Sequence, residues 1–163
     1  MTDTAISMKV TGLMVDPLTN SPIVILKSED GERLLPIWIG PFEAQAIAMK
    51  RDEVEPPRPM THDLLASALG CLGCQVEKIV IHELRGNTFV ASLHVMTSSE
   101  PHEIDSRPSD AIALALRVDA PILVELQVLE QSSVGEYEAG DEETRLKSWF
   151  DSLDPGDLSK YQM

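Results

Sequence analysis

Asp105-Ser106-Arg107-Pro108-Ser109-Asp110-Ala111-Ile112-Ala113-Leu114-Ala115-Leu116-Arg117 sets a charged turn directly against an apolar helix. Proline fixes φ near the helical value and has no N–H to lose at the first helical position. Pro108 therefore opens the helix and Arg107 is its cap, because the residue before a proline is pushed out of the helical region. Asp110 falls in the first turn, where the helix dipole favours a negative charge. Arg117 suits the opposite pole. Residues 111–116 contain no polar side chain. A helix apolar on every side is a helix buried on every side. Ala111 and Ala115 sit one turn apart on one face, which lets a neighbour approach closely.

Working outward, the flanks read as strands and helices in a fixed order. Residues 5–15 alternate apolar and polar as a first strand does, and residues 16–22 are a turn rich in Asp, Asn, Ser and Pro. Residues 23–27 and 33–39 are a second and third strand, and Pro36 sets the third at an edge or a bulge. Gly40-Pro41-Phe42-Glu43 opens a helix to about Arg51, with Phe42, Ala46, Ile47 and Met49 at helical spacing. A proline-rich loop follows, then a second helix with Thr61 as cap and Asp63 in its first turn, ended by Gly70 and Gly73. Residues 75–83 and 88–96 are a fourth and fifth strand around Arg85-Gly86-Asn87. Residues 102–105 are extended and lead into the central helix. Residues 122–124 form a further strand that can run on to Leu129. Strands, two helices, strands, a helix and a strand make an α+β domain with a mixed, largely antiparallel sheet packed with helices.

Length and charge bound the rest. At 163 residues the chain is one domain, residues 1–133, with an appended segment, residues 134–163. In that tail, residues 141–153 read as a short amphipathic helix with Leu146, Trp149, Phe150 and Leu153 on one face. The formal net charge is −14, from 27 acidic and 13 basic residues. The tail holds eight acids and three bases, so the main domain is acidic as well. Such a surface repels nucleic acid unless metal ions or a local basic patch intervene. No apolar run reaches the roughly 18 residues of a membrane span. Residues 1–4 lack the basic flank and apolar core of a secretion signal, so the expected location is cytoplasmic. Cys71-Leu72-Gly73-Cys74 has the spacing of a redox motif or half a zinc site. With no second pair, the expectation is two small, buried, reduced cysteines at a helix-to-strand junction.

The turn before the central helix has an echo. Arg58-Pro59-Met60-Thr61-His62-Asp63 and Arg107-Pro108-Ser109-Asp110 are both Arg-Pro openings of Ala- and Leu-rich helices. If the two turns meet, within the chain or across a subunit boundary, they form one polar cluster.

Three motifs in this order resemble the bifunctional nuclease (BFN) domain family: residues 35–44 (Leu-Pro-Ile-Trp-Ile-Gly-Pro-Phe-Glu-Ala), residues 58–64 and residues 104–115. The resemblance covers roughly residues 6–133. It implies an α+β domain that self-associates. The family takes its name from plant members credited with degrading both DNA and RNA, so the resemblance also implies a nucleic-acid substrate. Trp149-Phe150-Asp151-Ser152-Leu153-Asp154-Pro155 is similar to the tails of actinobacterial members.

Nuclease chemistry needs an activated water and a stabiliser for growing negative charge, commonly one or two divalent ions held by carboxylates. Asp63, Asp105 and Asp110, joined by Glu43 at another helix start, are the candidate ligands, and oxygen donors suit magnesium or manganese. Arg58 and Arg107 can grip phosphate with two parallel hydrogen bonds. Thr61 and Ser109 add hydroxyls at the two helix starts. His62 is the candidate general acid or base, since an ordinary histidine titrates near neutrality. The catalytic set is then Asp105, Asp110, His62 and Arg107. The same residues also suit plainer roles, the aspartates as caps and ion-pair partners, the arginines as loop ties. Three functions follow: a metal-assisted nuclease, a non-catalytic regulatory or anion-binding oligomeric module, and an assembly domain with these turns buried between subunits. Converging carboxylates would mark the first. Arginines and helix N-termini around a pocket, without metal geometry, would mark the second. Fully paired charges and no cleft would mark the third.

Overall fold

The computed structural model describes residues 4–132. Its elements are β1 (Ala5–Val15), β2 (Pro22–Ser28), β3 (Leu34–Trp38), α1 (Pro41–Arg51), α2 (Thr61–Cys71), β4 (Gln75–Arg85), β5 (Thr88–Met96), β6 (Pro101–Ser106), α3 (Pro108–Val118), β7 (Ile122–Glu125) and α4 (Leu126–Gln131). The strands form one seven-stranded sheet in the order β3-β2-β1-β7-β4-β5-β6. β1–β3 and β4–β6 are two antiparallel meanders. β7 joins them, running antiparallel to β1 and parallel to β4. The fold is α+β with a mostly antiparallel sheet, as the sequence pattern requires. β3 is an edge strand, which is where Pro36 can sit without breaking a ladder. The expected tail helix over residues 141–153 lies outside the described residues.

α3 is the hub. Arg107 is its cap in extended conformation, and Pro108 occupies the first turn. Pro108, Ser109 and every residue from Ala111 to Ala115 are buried. β4 and β5 floor the helix, and α1 and α2 pack against it. Its C-terminal end turns through Asp119 in the left-handed region, a conformation that Asp tolerates better than most residues.

Three local expectations need correction. The cap of α2 is Met60 rather than Thr61, which is exposed and already helical. The side chain that closes this terminus is Asp63, whose Oδ2 accepts the Met60 N–H at 2.9 Å. The last strand stops at Glu125 because the chain turns into α4, whose Val128 and Leu129 are buried. Leu, Gln and Glu in that stretch favour a helix once the apolar pair has a surface to cover. Cys71 and Cys74 are free thiols at the α2–β4 junction as expected, but neither is buried: Cys71 is exposed and Cys74 half-buried.

Asp16 ties the first meander together. It is fully buried in the β1–β2 turn. Its carboxylate accepts hydrogen bonds from Leu18 N at 2.9 Å, Thr19 Oγ1 at 2.8 Å and the Trp38 indole at 3.0 Å. Burial pulls its pKa up, but those hydrogen bonds together outweigh it and leave the group below its ordinary value. A depressed folded pKa adds stability above the unfolded value and loses it as pH falls through the folded one. Asp16→Ala should therefore cost about 3 kcal/mol at neutral pH, the scale of several lost acceptors at a buried site. The gap between variant and parent should begin to narrow below pH 3.8, the ordinary value, and go on narrowing as pH falls further. Urea unfolding at pH 7 and pH 3 measures both, and a gap that does not narrow in acid would refute the account.

Candidate functional site

Three helix starts converge on one groove. Phe42, Glu43 and Gln45 of α1, Thr61, His62 and Leu65 of α2, and Arg107 and Asp110 at the head of α3 line a cavity of about 810 Å³, with Leu93 of β5 and Ile104 of β6 as floor and rim. The two Arg-Pro turns do not contribute alike. Arg107 is in the wall, whereas Arg58 is exposed in the α1–α2 loop, outside the groove lining and without an ion pair among the described residues.

A chain of four side chains crosses the groove. His62 Nε2 lies 2.9 Å from Asp110 Oδ1. Arg107 Nε donates to Asp110 Oδ2 at 2.9 Å, and Arg107 Nη2 donates to Glu43 Oε1 at 2.9 Å. Burial raises the Asp110 pKa, but the bonds from Arg107 and His62 more than offset it and hold the carboxyl below its ordinary value. The Asp110 bond, then the Glu43 bond, push Arg107 above its own. An ionised carboxylate only accepts hydrogen bonds. His62 must therefore carry its proton on Nε2, which leaves the Nδ1 lone pair as the basic position. His62 is only 8% exposed yet lines the groove, so it is oriented by packing as well as by Asp110.

The expected ligand set divides. Glu43 and Asp110 are bridged by Arg107. Asp63, one residue past His62, turns away from the groove's ion chain: its Oδ1 takes the Arg117 Nε–H at 2.6 Å. The Met60 N–H, against the pull of burial and helped by Arg117, holds Asp63 below its ordinary pKa. Arg117 also donates to the carbonyls of Ala113 at 2.8 Å and Ala46 at 3.0 Å, so one guanidinium ties α3 to α2 and α1. Asp105 belongs to the groove wall, but it stands opposite Ser92 in the β5–β6 register. Directly opposed residues share a face. Ser92, His94 and Glu103 line a second cavity, of about 580 Å³, on the opposite face of the sheet. Asp105 also attracts Arg85, which pairs with Glu83 of that second lining. The Asp105 side chain is thus on the far side of the sheet from Asp110, because strand neighbours alternate. Among the described residues no three His, Cys, Asp or Glu side chains are grouped as a metal ion requires. The carboxylates present pair with arginine guanidiniums rather than gather round a metal ion.

The hydroxyls differ too. Thr61 is exposed at the rim. Ser109 is fully buried, and its Oγ has no hydrogen-bond partner among the described residues, so it belongs to the interior and not to the groove.

One contributor, Gly40, reads in the sequence only as the residue that opens a helix. Gly40 caps α1, and a Cβ there would overlap Glu43 Oε2. The glycine lets the carboxylate fold back over the helix start to reach Arg107. Gly40→Ala should leave stability within about 1 kcal/mol, since only a flexible side chain must move. It should free Arg107 from Glu43. A crystal structure of the variant reads this directly, and an intact Glu43–Arg107 bond would refute it.

The family model described as the bifunctional nuclease domain matches residues 24–136. The chain belongs to the bifunctional nuclease domain family. That match spans β2 to α4 and takes in all four members of the His62–Asp110–Arg107–Glu43 chain. An uncharacterized protein of Mycobacterium tuberculosis strain H37Rv is 38% identical over 161 residues, covering 93% of this chain and 96% of that protein. Bifunctional nuclease 1 of Arabidopsis thaliana is 28% identical over 123 residues, 73% of this chain and 38% of its own length. Bifunctional nuclease 2 of Oryza sativa subsp. japonica is 29% identical over 107 residues, 63% of this chain and 33% of its own. This BFN chain thus spans about a third of the length of its named plant relatives. Among the described residues no helix is long and apolar enough to cross a membrane.

Proposed function

We propose that this BFN domain is a nuclease, hydrolysing phosphodiester bonds of DNA or RNA in the groove between its three helix starts. The observation that carries the reading is the His62–Asp110–Arg107 relay on an open groove. His62 Nδ1 takes a proton from water as the water oxygen attacks phosphorus, the P–O bond to one sugar oxygen breaks, and that leaving oxygen takes a proton from solvent. Asp110 holds the ring in the required tautomer and balances the charge the imidazole gains. Arg107, whose side chain is 55% exposed, binds the phosphate as charge builds on its oxygens. Glu43 and Asp110 fix the guanidinium in place before substrate arrives. The named plant relatives support the substrate class.

A second reading is a non-catalytic anion-binding module that self-associates. The exposed apolar side chains around the groove, Phe42, Leu64, Leu65 and Ile104, favour it. One experiment separates the two. Labelled single- and double-stranded DNA and RNA are incubated with purified protein in magnesium, manganese or EDTA, beside His62→Gln. Cleavage that the variant loses supports the nuclease. The EDTA arm decides whether a divalent cation takes part. Absence of cleavage in every arm would leave the binding module.

A further inference from the structure

Phe42 is the exposed aromatic among the described residues. It is 79% accessible, whereas Trp38 and Phe89 are buried. The helical spacing of α1 would place it with Ala46 and Ile47, both of which are buried. Instead it stands in the first turn of α1, next to Glu43, and lines the groove that holds His62 and Arg107. Met60, Leu65 and Ile104 continue the apolar wall around it. A phenyl ring left in water forgoes the burial that Trp38 and Phe89 gain.

Beside this ring Arg107 keeps donors in reserve. A guanidinium has five N–H bonds. Nε and Nη2 serve Asp110 and Glu43, and Nη1 makes no hydrogen bond to the described residues. A flat apolar face and a fixed cation lining one groove match one unstacked nucleotide, its base on the ring and its phosphate on the guanidinium. The cavity of about 810 Å³ is of the size that takes a small molecule. A duplex offers no free base face. It also brings a second strand of phosphates against a chain of net charge −14.

We propose that Phe42 is a base-stacking subsite that makes this groove prefer single-stranded over double-stranded nucleic acid. The proposal rests on the nuclease reading and names the substrate form for the same site. The test is anisotropy of a labelled single strand with hydrolysis-resistant phosphorothioate linkages, and of the matching duplex. Wild type, Phe42→Ala and Phe42→Trp are compared, with the mass of each by light scattering. Wild-type cleavage of an ordinary single strand is measured alongside. Phe42→Ala should weaken single-strand binding roughly ten- to a hundredfold, the scale of one lost stacked base. Duplex binding should hardly move, Trp should restore the affinity, and the mass should stay constant. Equal single-strand affinity for wild type and Phe42→Ala would overturn the subsite while wild-type cleavage kept the nuclease reading. A smaller mass for Phe42→Ala would overturn it by showing Phe42 to be an anchor for a second copy. A wild type that neither binds nor cleaves would overturn both.

Discussion

Arg117→Met should destabilise the domain by about 3 kcal/mol, the scale for a buried ion pair that loses one partner. The Arg117 side chain is 7% exposed, and the partner it would leave behind, Asp63, is 29% exposed. Methionine fills much of the same volume, so the loss reports the polar ties and not a cavity. Three hydrogen bonds go at once, to Asp63, Ala113 and Ala46. The effect should show in urea unfolding as a lower midpoint with an unchanged slope. Adding Asp63→Ala should cost less in the Arg117→Met background than alone, because the partners share one interaction. Additive losses would mean that the two residues act separately. The consequence reaches the groove. α1 carries Glu43, α2 carries His62 and α3 carries Asp110, and Arg117 touches all three helices.

His62→Gln should lower cleavage by about 10²–10⁴-fold, the usual contribution of a positioned acid–base group. The amide keeps a donor for Asp110 but cannot take a proton, so the melting temperature should barely change. Asp110→Asn should be nearly as damaging. A carboxamide can present its N–H₂ to Nε2 and stabilise the wrong tautomer. Asp110 is held below its ordinary pKa of 3.8, so it is charged throughout the neutral range. A rate that falls as pH drops from 7 to 5 would then reflect another group than this carboxylate. Full activity in a folded His62→Gln protein would end the relay account.

Local signals carried most of the fold. Pro108 sets the start of α3 through its own ring, and the unbroken apolar run after Asp110 sets its burial. Both are properties of adjacent residues, and both appear in the structure. Pro36 marked an edge for the same kind of reason. The site was only partly legible. Asp63 and Asp110 look alike in sequence, each the acid of a first helical turn. Their fates differ because of Arg117, 54 residues from Asp63, and His62, 48 residues from Asp110. Arg107, three residues before Asp110, is the one local part of that choice, and Met60 stands at the same spacing from Asp63. The placement of Asp105 is encoded locally. Its neighbours Ile104 and Ser106 share the groove face, so strand alternation sends Asp105 to the other. Gly40 lies inside the residue 35–44 motif, but its role was not legible there, since it depends on where the Glu43 carboxylate folds.

The place of β7 in the sheet has a bearing on how the chain is built. Each meander is made of neighbours in sequence, and contacts of that kind form quickly. The strand between them is four residues long and is the last strand in the described chain. During synthesis both meanders leave the ribosome before the piece that seals them. Until then β1 and β4 each present a bare edge, able to pair with any strand nearby. Ile122–Glu125 therefore acts as a zip drawn after both meanders are made, and a chain cut short before it would have every part of the groove and no continuous sheet to hold it.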